Sequence, residues 1–115
     1  MFKELDPILH SQTRLAIVSI LIGLEAAEFV YLKEKTKSTA GNLSLQLNKL
    51  QLAEYISIEK GFKGKYPVTT CKISPKGRHA FENYVKSLKD YIQIFYMFVL
   101  LQVIMQILEW LIITI

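Results

Sequence analysis

Two β-rich runs set among helical patterns limit the fold more than any other feature of the chain. Tyr55-Ile56-Ser57-Ile58 alternates in period two. Val68-Thr69-Thr70-Cys71-Lys72-Ile73 follows after the glycine-bearing segment Glu59-Lys60-Gly61-Phe62-Lys63-Gly64-Lys65. Runs of this kind, joined this way, predict a β-hairpin. The other patterned segments have helical spacing, and 115 residues leave room for one domain around one core. Apolar residues form 51% of the chain, well above a disordered segment, so a packed core is expected. The fold class is therefore mainly α with a small β-hairpin.

Leu15, Ile17, Val18, Leu21 and Ile22 mark a first helix, with Ser11 placed as N-cap and Gly23 as stop. A second is expected from about Ala26 to Lys35, burying Phe29, Val30 and Leu32 or the stem of Lys33, up to a break at Thr36-Lys37. In the third, spanning residues 38–52, Ser38 is the expected N-cap and Leu43, Leu47 and Leu50 recur at i, i+4, i+7. Its opposite side carries Ser38, Gly41, Asn42, Leu45, Asn48 and Lys49. Amide side chains can pair with adenine edges, and small residues let a helix approach a groove closely. An ordinary solvated face is the competing explanation. A fourth helix opens at Ser74-Pro75, Ser capping and Pro in the first turn. Phe81, Val85, Leu88, Ile92, Phe95 and Val99 alternate by four and three along it, a heptad seam of the sort that pairs two helices.

Charge is uneven. Glu109 is the only charged side chain after Asp90, so residues 1–90 hold all 14 basic groups against nine of the ten acidic ones, a balance of +5. That favours an anionic partner, either nucleic acid or a membrane surface. Lys60, Lys63 and Lys65 concentrate in the hairpin segment 59–66, which suits contact with phosphates or a minor groove. Lysines also guard hairpins against edge pairing. The hairpin's place directly after the third helix favours the nucleic-acid role.

The order helix, helix, helix, hairpin, helix resembles the winged-helix regulators of the MarR and ArsR type, and above all small bacterial proteins that are little more than the DNA-binding unit. The residues carrying the resemblance are Leu9-His10-Ser11, Arg14-Leu15-Ala16-Ile17, Phe29-Val30-Tyr31-Leu32-Lys33, Thr39-Ala40-Gly41-Asn42-Leu43-Ser44 and Leu47-Asn48-Lys49-Leu50. Tyr55-Ile56, Phe62-Lys63-Gly64-Lys65 and Ile73-Ser74-Pro75-Lys76-Gly77-Arg78 with Ala80-Phe81 complete it. The resemblance covers roughly residues 5–92. It implies a winged helix-turn-helix over residues 1–90 with a long C-terminal helix, acting as a cytoplasmic, homodimeric regulator on double-stranded DNA. It implies base-edge contacts from Thr39, Asn42, Gln46 or Lys49, with Ser38 and Asn48 on the same helix, and phosphate contacts from Ser44 and the wing lysines. The helical face supports Asn42 and Lys49 and disfavours Gln46. Glu54 departs from the family, which has glycine before the Tyr-Ile that opens the wing. An L-residue there must avoid or tolerate positive φ.

Residues 91–115 lie past the end of the family domain. Tyr91–Leu108 is an uncharged run of 18 residues, about 27 Å long as a helix. Two structures fit it. A soluble tail buries its apolar surface in a dimer, with Gln102, Gln106 and Glu109 facing water. A membrane anchor places Lys86 and Lys89 on the cytoplasmic side and lets the glutamines bond across a helix pair.

No catalytic constellation is present, so an enzyme is not expected. His10 and His79 have no partners at metal-ligand spacing, and neither metal nor cofactor is implied. Cys71 is expected as a small buried hydrophobe, not an oxidation sensor. Tyr31, Tyr84, Tyr91 and Tyr96 are expected in the core or an interface. No small-molecule effector can be inferred. A winged-helix protein-interaction module remains the alternative, because Lys49 is the only cation on the third helix's polar face.

Overall fold

The computed structural model describes residues 1–115. The elements run α1 (Gln12–Leu24), β1 (Ala26–Glu28), α2 (Phe29–Thr36), α3 (Ala40–Leu52), β2 (Ile56–Lys63), β3 (Tyr66–Ile73) and α4 (Pro75–Thr114). The strands form one antiparallel sheet in the order β1-β3-β2. Three helices pack on this sheet, and the long α4 leaves the domain, stretching the chain to 72 × 32 × 24 Å.

The core is the meeting of the predicted stripes. Ile17, Val18 and Leu21 of α1 bury against Leu32 of α2 and the Leu43, Leu47, Leu50 stripe of α3. Ile56 and Cys71 close the core from the sheet and Tyr84 from α4. Contacts of this kind bury apolar surface at about 25 cal/mol per Å².

The second helix starts later than its pattern suggests. Ala26-Ala27-Glu28 has high helix propensity, yet it pairs with Lys72, Cys71 and Thr70 of β3. The turn into it is made by Glu25, at φ 69, and not by Gly23, which lies inside α1. Ile73 N–H donates to the Glu25 carbonyl and locks the strand to the sheet. Pairing that also buries Ala27 outweighs a few tenths of a kcal/mol of propensity per residue. Val30, expected inside, is 69% exposed.

The cap of α3 is Thr39, whose Oγ1 accepts the Asn42 N–H at 3.1 Å. Ser38, one residue earlier, pairs its hydroxyl with that of Thr36 at 2.8 Å. Lys37, in the left-handed region, ends α2, so the turn between the two helices is only Lys37-Ser38-Thr39.

The hairpin is longer and its loop shorter than the composition implies. Glu59 to Lys63 pair in register with Thr70 to Tyr66, leaving a two-residue turn, Gly64-Lys65. Gly64 has φ 62, and glycine at the first of two turn positions is the type II′ arrangement.

Candidate nucleic-acid interface

α3 and the hairpin present one continuous surface. On α3, Thr39, Asn42, Ser44, Asn48 and Lys49 are exposed, together with Gly41 and Leu45. Gln46 is only partly exposed and is held from behind. Arg14 of α1 donates from Nη1 to Gln46 Oε1 at 2.6 Å and from Nε to the Ile8 carbonyl at 2.6 Å. The Gln46 amide then donates to Asn42 Oδ1 at 3.1 Å, and Asn42 N–H reaches the Thr39 cap. This chain fixes the first two turns of α3 and leaves the amide protons of Asn42 free. Free amide donors suit the acceptors at purine N7 or guanine O6.

An open groove runs between α3 and the sheet. Ser44, Asn48 and Gln51 line its helix side, Lys60 and Thr69 its strand side, and Phe29, Leu47 and Ile58 contribute apolar walls. Lys60 points to this groove because it shares the core-facing parity of Ile56 and Ile58, four and two residues earlier. Gln51 and Thr69 were not singled out from the sequence. Only the strand register places Thr69 opposite Lys60.

The three wing lysines divide. Lys63 lies on the other face and pairs with Glu28 at 2.5 Å, so the sheet itself partly neutralises it. Lys60 and Lys65 make no ion pair, and Lys49 on α3 makes none either. Lys72, a further strand cation, is engaged by Glu59 at 3.3 Å.

The seam residues of α4 also divide. Phe81 and Leu88 pack on the domain's own core. Val85, Ile92, Phe95 and Val99 are exposed on the single chain. Among the tyrosines, Tyr84 is buried and hydrogen-bonded to His10 Nδ1 at 3.1 Å, while Tyr31, Tyr91 and Tyr96 are exposed. His79 bonds to Asn83. No group of three His, Cys, Asp or Glu side chains is placed to hold a metal. Cys71 is buried, and burial pushes its thiol up to about 11, away from the reactive thiolate.

Three helices, the short turn before an exposed α3 and the hairpin beside it define a winged helix-turn-helix protein of MarR-like architecture. The winged helix DNA-binding domain family matches residues 13–92, and the chain belongs to that family. An uncharacterized protein of Methanocaldococcus jannaschii is 44% identical over 79 residues, covering 68% of this chain and 85% of that one. Among solved structures, a transcriptional regulator homologue from Pyrococcus horikoshii OT3 aligns with TM-score 0.71 at 26% identity, over 75% of this chain and 85% of that one. A MarR-family transcriptional regulator from Silicibacter pomeroyi shares the fold at 15% identity and TM-score 0.58, over 76% of this chain and 59% of that one.

Proposed function

We propose that the chain is a non-enzymatic, homodimeric, cytoplasmic transcriptional regulator that binds double-stranded DNA sequence-specifically. The observation carrying this is the joint surface of α3 and the wing. Thr39, Asn42, Ser44, Asn48 and Lys49 face outward on α3, and the unpaired Lys60 and Lys65 flank them from the hairpin. α3 enters the major groove, where Asn42 and Lys49 contact base edges. Ser44, Lys60 and Lys65 contact the phosphates or the adjoining minor groove. Two copies, paired through the exposed seam residues Val85, Ile92, Phe95 and Val99, place two α3 helices on half-sites about one helical turn apart.

The test is fluorescence anisotropy of duplex DNA from the protein's own upstream region, against a scrambled duplex, at low and moderate salt. Tighter, salt-sensitive binding to the native duplex is expected. Absence of binding to both duplexes at low salt would transfer this surface to a protein partner.

A further inference from the structure

We infer that α4 crosses a lipid bilayer over residues 91–110, holding the winged helix at the membrane surface. Every residue from Tyr91 to Ile115 is exposed on the single chain, and the family match ends at residue 92. Between Tyr91 and Trp110 the polar side chains are the Tyr91 and Tyr96 phenols, Gln93, Gln102, Gln106 and Glu109. At the helical repeat, the last three fall within about 60° of one another; apart from Gln93 in the first turn of the span, the remaining circumference of about 300° belongs to Phe, Leu, Ile, Val, Met, Trp and Tyr.

That geometry decides between the two fates of the tail. A helix pair in water covers a stripe roughly 100° wide on each helix, so about 200° would stay bare along some 30 Å. Phe98 is 65% and Ile112 75% exposed, and a soluble protein rarely leaves so large a contiguous apolar patch. A helix apolar nearly all round belongs in a protein core or in lipid. The last residue of α4 packed on the core of this domain is Leu88.

The ends of the segment carry a second, independent signal. Tyr91 and Tyr96 mark one end and Trp110 the other. Tyr91 and Trp110 are 19 residues apart, about 28 Å along a helix, close to the hydrocarbon thickness of a bilayer. Amphipathic aromatic rings concentrate at both headgroup levels. Lys86 and Lys89 directly precede the span, and all 14 lysines and arginines lie on that side of it, the pattern of a cytoplasmic flank. Glu109 falls beside Trp110 at the far interface. Gln102 and Gln106, deeper in the hydrocarbon, pair their amides across two copies of the helix.

Trp110 is the only tryptophan, so intrinsic fluorescence of the full chain reports on the tail directly. The chain is reconstituted in phosphatidylcholine vesicles carrying bromine either near the headgroups or deep in the acyl chains. A blue shift in lipid and stronger quenching by the shallow bromines are expected, with the chain retained in the membrane pellet after alkaline carbonate. Emission unchanged by vesicles, with a full-chain dimer stable in detergent-free buffer, would overturn the span in favour of a soluble dimer helix. Quenching strongest from the deep bromines would overturn the placement of Trp110 at the interface.

Discussion

Arg14 on α1 donates from Nη1 to Gln46 Oε1 on α3 at 2.6 Å, joining two helices 32 residues apart in sequence. The same guanidinium holds the Ile8 carbonyl, so a single side chain fixes the N-terminal turn, α1 and α3 together. Guanidinium suits this task because its rigid planar fork holds two acceptors in fixed directions, whereas an ammonium is a point charge on a flexible stem. Arg14→Ala frees Gln46, and with it the orientation of Asn42. Charge-assisted bonds of this sort contribute about 1.5–3 kcal/mol, and partial exposure puts the loss at the lower end. Urea unfolding should show a loss of about 1.5 kcal/mol, and anisotropy should show native and scrambled duplexes bound more alike. Arg14→Lys should not restore either property. Full discrimination in Arg14→Ala would separate the clamp from base recognition.

The split among the wing lysines makes a sharper test than their shared charge. A phosphate contact adds about 0.9 to the slope of log affinity against log salt. Lys60→Ala with Lys65→Ala should therefore lower the slope by about 1.8, weakening binding to all sequences. Lys63→Ala should alter it little, because Glu28 already holds that ammonium. Salt titrations at several concentrations measure both. A Lys63→Ala effect equal to that of the double variant would mean the Glu28 pair opens on DNA.

Gly77 joins α4 to the base of the wing by contact alone. A Cβ there would lie 2.1 Å from the Tyr55 carbonyl oxygen and 2.9 Å from its carbon, so backbone must move. The Tyr55 carbonyl cannot yield freely, because it accepts the Ser74 N–H at 3.0 Å. Gly77→Ala should cost about 3 kcal/mol, the upper range for overpacking. Gly41→Ala is the contrast: nothing lies within 4 Å of its Cβ position, so the helix should gain about 0.5–1 kcal/mol. Thermal unfolding of the two variants, moving in opposite directions, checks the pair.

Periodicity made most of the fold legible. The Leu43, Leu47, Leu50 stripe, the Ser74-Pro75 helix start and the buried Cys71 all follow from local pattern and lie where that pattern puts them. What escaped was decided by partners distant in sequence. Ala26–Glu28 became a strand because β3 offered an edge, and no local signal marks that. Glu54 takes φ 64, a conformation that favours glycine; its carbonyl accepts the Ser74 hydroxyl and its carboxylate meets Lys76 Nζ at 3.2 Å. At the interface, composition grouped Lys60, Lys63 and Lys65, and only strand parity and the nearness of Glu28 separate them. Arg14 was visible as a residue and invisible as a clamp, since its acceptor lies two helices away.

Two weak acids, the buried Cys71 and the partly buried Tyr55, make the fold sensitive to alkali. Burial pushes the Cys71 thiol up from 9.0 to about 11. Burial, then the hydrogen bond to the Asp6 carboxylate and its charge, pushes the Tyr55 phenol from 10.0 to about 12. Both groups are held neutral in the folded chain and ionise more easily in the unfolded one. Their stabilisation is complete below the unfolded values and disappears as pH rises through the folded ones. The windows are therefore about pH 9 to 11 for Cys71 and about pH 10 to 12 for Tyr55. Urea midpoints measured from neutral to alkaline pH should decline above about pH 9. Cys71→Ala should start lower at neutral pH, because it leaves a small cavity, and its decline should begin about one pH unit later. Tyr55→Phe should lose the upper window and keep the lower. At pH 8 the native thiol should stay inert to a disulfide reagent until urea exposes it. A wild-type decline that neither substitution alters would place the alkaline sensitivity elsewhere in the chain.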